Sequence, residues 1–204
     1  ASEVSLLLNF ETVATTLRLW PSAVVLGLRL TGLTLARWLA RHGATVRVAD
    51  TRPHPPNAAR LADELPGVRL ETGPITAATL AGADLIAISP GVPKDQGAIA
   101  EAVAAGAALA GDVELFARAL PPGQKVLAIT GTNGKTTTTA LVGELARAAG
   151  LAATVAGNIG SAVLDVLAAI ESGASWPDVF VLELSSFQLE TVSSLKPTAA
   201  AVLN

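Results

Sequence analysis

No cysteine occurs among the 204 residues, which excludes disulfides and thiolate metal sites within this chain and fits a reducing compartment. No apolar run reaches the roughly 18 charge-free residues that a membrane-crossing helix needs. Basic clusters are missing as well. The 14 Lys and Arg are scattered against 17 Asp and Glu, for a net charge of −3. No electrostatic footprint for nucleic acid is therefore expected. Residues 1–20 contain Leu6-Leu7-Leu8 but have no basic leading region, and Glu11 and Arg18 interrupt them. They are expected to form an N-terminal extension rather than a signal peptide. There is no internal repeat or low-complexity segment.

Half of the residues are hydrophobic, enough to bury a sizeable core. Short β-rich apolar runs alternate with Ala/Leu-rich stretches. Strands are expected at 23–28, 44–49, 84–89, 107–110, 125–130, 152–155, 179–184 and 199–203, and helices at 31–42, 98–105, 113–119, 135–149 and 162–170. Such alternation predicts an α/β fold with parallel sheets covered on both faces. Pro121-Pro122-Gly123 cannot continue a helix and precedes a new strand–loop–helix unit, so two units are expected, 21–122 and 123–204. The second has few strands for a phosphate-binding α/β domain and is expected to be only part of one.

In the first unit, Gly27-Leu28-Arg29-Leu30-Thr31-Gly32 follows a strand and opens a helix, and Asp50 ends the next strand. This is the layout of a Rossmann-like nucleotide-binding unit: a tight turn, a diphosphate at the helix start and an acid near the ribose. Arg29 stands where the second glycine of that pattern normally lets the backbone approach the pyrophosphate. It is either a solvated turn residue or a forked donor to a diphosphate. Asp50-Thr51-Arg52 and Ser89-Pro90-Gly91 lie at carboxyl ends of strands, where open α/β sheets bind ligands. The plainer alternatives are a capping carboxylate and an ordinary polar turn. His42 and His54 read as helix-end and loop residues.

In the second unit, Ile129-Thr130-Gly131-Thr132-Asn133-Gly134-Lys135-Thr136-Thr137 passes from an apolar run through a glycine turn into a helical pattern. This is a short form of a phosphate-binding loop. Turn and helix N–H groups face the phosphates, Lys135 supplies a charge, and Thr136 offers a hydroxyl to Mg²⁺. A lysine at a helix start opposes the helix dipole unless a polyanion lies beside it. Glu183 sits inside Val179-Phe180-Val181-Leu182-Glu183-Leu184, where an unpaired carboxylate is costly. A triphosphate-bound Mg²⁺ would compensate it, and so would a local ion pair or cap. Ser185-Ser186-Phe187-Gln188 forms a polar shelf next to it. Asn158, in Gly157-Asn158-Ile159-Gly160, either presents its amide to a substrate or shapes the turn.

These segments together resemble the Mur ligases of bacterial cell-wall synthesis, which share the short loop with folylpolyglutamate synthetases. Leu182-Glu183-Leu184-Ser185-Ser186-Phe187-Gln188-Leu189-Glu190 is similar to the branch that adds D-glutamate to UDP-N-acetylmuramoyl-L-alanine. The resemblance implies a Rossmann-like domain followed by an incomplete P-loop ATPase domain, in a cytoplasmic, monomeric, ATP- and Mg²⁺-dependent amide-forming enzyme. It implies that Leu30, Thr31, Asp50, Thr51, Arg52, Ser89, Pro90 and Gly91 form a uridine-diphosphate pocket. Gly131, Thr132, Asn133, Gly134, Lys135, Thr136 and Thr137 would bind ATP, with Thr136 and Glu183 as metal ligands. Asn158, Ser185 and Gln188 would face the muramoyl-alanine end and the transferred phosphoryl group, with Lys135, Asn158 and Glu183 catalytic. The family's later metal-binding His, modified Lys and closing domain are not in these residues. The piece alone is expected to bind rather than catalyse. A non-catalytic UDP-sugar-binding module and another Mur-type or folate-type ligase are the competing expectations.

Overall fold

The computed structural model describes residues 20–94 and 97–204. The extension expected at 1–20 thus lies almost wholly outside the described residues. Contacts divide the chain into two compact units, the first ending at Asp112 and the second beginning at Val113.

The first unit holds five parallel strands in the order β3-β2-β1-β4-β5: β1 (Ser22–Leu26), β2 (Thr45–Asp50), β3 (Arg69–Thr72), β4 (Leu85–Ile88) and β5 (Ala108–Ala110). Helices α1 (Leu30–Arg41), α2 (Ala58–Glu64), α3 (Ala77–Leu80) and α4 (Gly97–Ala104) connect them. Strands β1 and β4 are nearly continuous apolar runs because both of their faces are covered. Val24, Leu26, Ile86 and Ile88 pack with Leu80 and Ile99 in one buried cluster. His42 closes α1, its Nδ1 2.8 Å from the Trp38 carbonyl oxygen.

The second unit is also parallel, in the order β7-β8-β6-β9: β6 (Lys125–Gly131), β7 (Ala153–Gly157), β8 (Val179–Glu183) and β9 (Ala199–Leu203). Its helices are α5 (Asp112–Ala119), α6 (Lys135–Ala148), α7 (Val163–Glu171) and α8 (Ser186–Leu189). The buried Phe180 of β8 takes the edge of Phe116 at 5.1 Å and lies 6.3 Å from Trp176, centroid to centroid.

The boundary differs from the one expected at Pro121-Pro122-Gly123, because α5 packs with later parts of the chain. Phe116 supplies one anchor and Glu114 the other. Glu114 Oε2 accepts the Ser193 and Ser194 N–H groups at 2.7 and 2.9 Å, and Oε1 accepts their hydroxyls at 3.1 and 2.6 Å. Arg118 Nε adds a bond of 2.7 Å.

Four elements escape the sequence pattern: α2, β3, α3 and α8. Two of these, α3 and α8, are single turns made by reciprocal caps, Thr76 with Thr79 and Ser185 with Gln188. Strand β3 is a short edge strand with two charged residues in four.

Candidate functional site: a carboxylate-ended pocket and a lysine-bearing loop

In the first unit a pocket of about 300 Å³ opens at the carboxyl ends of the strands. Its floor is the turn from β1 into α1. Gly27 has φ +84°, and a Cβ on Gly32 would stand 1.8 Å from the Gly27 carbonyl oxygen. Only glycines allow that approach. The buried Ser89 hydroxyl donates to the same carbonyl at 2.9 Å, bracing the turn from β4.

Asp50 closes the pocket on another side. It accepts Leu28 N–H at 2.6 Å, Arg52 N–H at 2.9 Å and Arg52 Nε at 2.8 Å. Burial pushes the carboxyl upward, but the Arg52 side chain, the two backbone donors and the Arg52 charge outweigh it and hold Asp50 at about 2. The guanidinium is raised in return. Asp50 is thus a fixed anion that shapes the turn while facing the pocket.

Asp50, Thr51, Arg52, Ser89, Pro90 and Gly91 all line this pocket. Leu30 and Thr31 do not. They form the first turn of α1, where Leu30 is 54% exposed. Ile75, Val92 and Pro93 join the wall without a signal in the sequence, since apolar loop residues carry no motif.

In the second unit the loop between β6 and α6 turns on Gly134, which occupies the helix N-cap at φ +80° and has no side chain to cap the first turn. No acid lies in that turn either. The orphan N–H groups and the dipole leave this end suited to an anion. Lys135 folds back over the loop. Its Nζ donates to the Gly131 carbonyl at 2.7 Å and to the Thr132 carbonyl at 3.3 Å. Thr132 N–H is held by the Leu203 carbonyl of β9 at 3.1 Å. Thr136 and Thr137 lie on the first turn of α6, and Thr137 is exposed.

Sheet register places an acid beside that loop. Glu183 pairs with Ile129 on one side and Gly157 on the other, so three strands present one row at their carboxyl ends. Glu183 is only 1% exposed. Thr136 donates its hydroxyl to Oε2 at 2.9 Å, and Asn158 donates its amide to Oε1 at 2.7 Å. Asn158 N–H also reaches the Glu183 carbonyl at 2.9 Å. Gly157 is required here, because a Cβ would stand 2.4 Å from that carbonyl oxygen. Ser185 and Gln188 bond to each other. Gln188 Oε1 accepts the Ser185 N–H at 3.1 Å, and Ser185 Oγ accepts the Gln188 N–H at 3.2 Å.

The glycine loop, the lysine, the hydroxyl and the buried acid thus meet at the carboxyl ends of the two central strands, β6 and β8, in a chain whose first unit has the layout of a nucleotide-binding domain. Residues 21–111 match the Mur ligase MurD-like N-terminal domain, and residues 129–204 match the Mur ligase middle domain. The chain belongs to the Mur ligase family.

Among curated relatives, this Mur ligase chain is 59% identical over 195 residues to the UDP-N-acetylmuramoylalanine–D-glutamate ligase of Thiobacillus denitrificans, covering 89% of this chain and 41% of that protein. It is 55% identical over 181 residues to the protein of the same name from Chromobacterium violaceum, covering 88% and 40%. The Mur ligase chain therefore spans about two fifths of the length of these relatives. Two solved structures share the fold at 21% identity. One is the UDP-N-acetylmuramate:L-alanyl-gamma-D-glutamyl-meso-diaminopimelate ligase from Neisseria meningitides, with TM-score 0.52 over 88% of this chain and 59% of that one. The other is a murein peptide ligase from Psychrobacter arcticus, with TM-score 0.50 over 90% and 43%.

Proposed function

We propose that the chain supplies the uridine-diphosphate pocket and the ATP cradle of a cytoplasmic ligase. That ligase adds D-glutamate to UDP-N-acetylmuramoyl-L-alanine during peptidoglycan precursor synthesis. The observation that carries this reading is the Thr136–Glu183–Asn158 row beside Lys135. The high identity to ligases of that name supports the choice of substrates.

The reaction joins a carboxylate to an amine. The γ-phosphoryl group of ATP passes to the alanine carboxylate, the bond to the β-phosphate breaks, and ADP leaves. The amine of D-glutamate then attacks the acyl phosphate, phosphate departs, a proton is lost from nitrogen, and an amide remains. Such chemistry needs positioning and charge stabilisation more than covalent help from the protein. Gly134 and the first turn of α6 offer N–H donors to the phosphates. The Lys135 ammonium sits 2.7 Å from the Gly131 carbonyl and offsets negative charge gathering on the terminal phosphates.

The donor set fits Mg²⁺. Thr136 and Glu183 are hard oxygen donors 2.9 Å apart, and one carboxylate plus phosphate oxygens is what Mg²⁺ ordinarily takes. Thr136 Oγ1 and a Glu183 carboxylate oxygen would hold the ion. When bound, it supplies charge neutralisation at the β- and γ-phosphate oxygens. Asn158 fixes the carboxylate's rotation. Ser185 and Gln188 shape the turn that carries the chain past the acid, toward the muramoyl-alanine end of the substrate.

Calorimetry with UDP-N-acetylmuramoyl-L-alanine, and separately with ATP and Mg²⁺, tests the two halves of the reading. Binding of both is expected. In the longer enzyme, phosphate release that depends on ATP, the muramoyl substrate and D-glutamate is expected. Equal release with diaminopimelate or lysine would overturn the acceptor, and no release at all would leave a UDP-sugar-binding module. Residues 1–204 alone should bind better than they turn over, and sustained ligation by this chain would refute that.

A further inference from the structure

We infer that Arg29 is a charged contact for the diphosphate of the ligand in the first unit's pocket, taking over a task that backbone N–H groups perform where a glycine stands. This rests on reading that pocket as a uridine-diphosphate site.

Arg29 lines the pocket alongside Asp50, Arg52 and Ser89. It holds the N-cap position of the twelve-residue helix α1 with φ −81° and ψ −171°, makes no side-chain cap and has no acid in the following turn. That extended backbone suits any residue, so the turn does not require glycine here, in contrast to Gly27 and Gly32. A side chain at this position does have one consequence. Its Cβ keeps a pyrophosphate from approaching the backbone as closely as in a glycine-bearing turn. The compensating donor is the guanidinium itself, whose planar fork matches phosphate oxygens.

Among the described residues the other arginines of this unit are engaged. Arg37 and Arg60 pair with Glu64, Arg69 with Glu71 and Arg52 with Asp50. Arg47 donates to the Thr79 and Ala81 carbonyls, and Arg41 also has a partner. Among the described residues Arg29 has neither an ion pair nor a side-chain hydrogen bond. A cation at a helix N-terminus is disfavoured by the dipole unless an anion lies between. Asp50 and Arg52 cancel, so Arg29 leaves the pocket with a net positive charge. An anionic group at the α1 end of the pocket satisfies both that cation and the orphan N–H groups of the first turn.

The test is calorimetry of the chain and of Arg29→Gly, Arg29→Gln and Arg29→Lys with UDP, UMP and uridine at low and moderate salt. Arg29→Gly and Arg29→Gln are expected to weaken UDP about tenfold, as loss of a hydrogen bond to a charged group does. They should leave uridine unchanged and reduce the salt dependence of UDP binding, while Arg29→Lys recovers part of the affinity. Equal UDP affinity and salt dependence in the variants and the parent would overturn the role of Arg29 and leave the pocket reading standing. If the parent bound none of the three ligands, the pocket reading would fail and the inference with it. Arg29 is exposed, so unchanged melting temperatures should accompany these results. Arg29→Gln guards against a backbone effect of the glycine.

Discussion

The Thr136 hydroxyl donates to Glu183 Oε2 at 2.9 Å, tying the first turn of α6 to the end of β8. Glu183 lies inside an otherwise apolar strand, so its charge must be compensated there. Glu183→Gln keeps the shape but removes the charge. ATP affinity measured by calorimetry should then lose the increment that Mg²⁺ provides, while binding in excess chelator changes little. An unaltered Mg²⁺ increment would remove Glu183 from the metal site.

Asn158 acts through that same carboxylate, its amide lying 2.7 Å from Oε1. Partners that orient a metal ligand typically affect metal affinity by about 10–100-fold. Asn158→Ala should weaken Mg²⁺-dependent ATP binding to that extent. The dependence on Mg²⁺ concentration should move with it, which a change confined to the muramoyl substrate would not produce.

Lys135 carries the positive charge of the loop. In the longer enzyme, Lys135→Ala should lower turnover by about 10²–10³-fold, the scale for loss of one preorganised electrostatic contact. Phosphate release under saturating substrates is the measurement, and near-normal turnover would sink the assignment.

Glu114 gives a pH prediction away from the site. Burial pushes its carboxyl up, yet the Ser193 and Ser194 donors and Arg118 hold it at about 2, below the ordinary 4.5. A carboxyl lowered on folding contributes stability that is complete above the unfolded value and fades as pH falls toward the folded one. The contribution is therefore whole at neutral pH and lost between about pH 5 and pH 2. Each tenfold strengthening of a carboxyl's acidity on folding is worth about 1.4 kcal/mol, so Glu114→Gln should cost on the order of 3 kcal/mol at pH 7. Urea titrations at several pH values should show the variant losing less stability on acidification than the parent. The acid limb should not vanish, because Asp50 is held at about 2 in the same sense. Parallel curves for both proteins would refute the role of Glu114.

Much of this architecture is legible residue by residue. The runs that form β1, β4 and β8 are apolar on both faces, which parallel strands between helices require. Gly134-Lys135-Thr136 marks its own loop, and Asp50 marks its strand end. Long-range register leaves no local trace. That Glu183 stands level with Ile129 and Gly157 follows from three strands pairing, and Asn158 becomes the carboxylate's partner only through that pairing. Glu114 meets Ser193 and Ser194 across 79 and 80 positions, so the start of the second unit could not be found from a Pro-Pro-Gly break. Single-turn helices such as α3 and α8 are too short for a period to register.

A Cβ on Gly131 would stand 1.8 Å from the Leu203 carbonyl oxygen, at a residue whose φ is +138°. Packing against β9 therefore restricts this position to glycine whether or not a phosphate lies beside it. An alanine scan that found Gly131 indispensable would invite the conclusion that it touches phosphate, although the clash with Leu203 of β9 would account for the loss equally well. Separating these causes calls for a structural readout, such as amide exchange along residues 199–203, next to the activity assay.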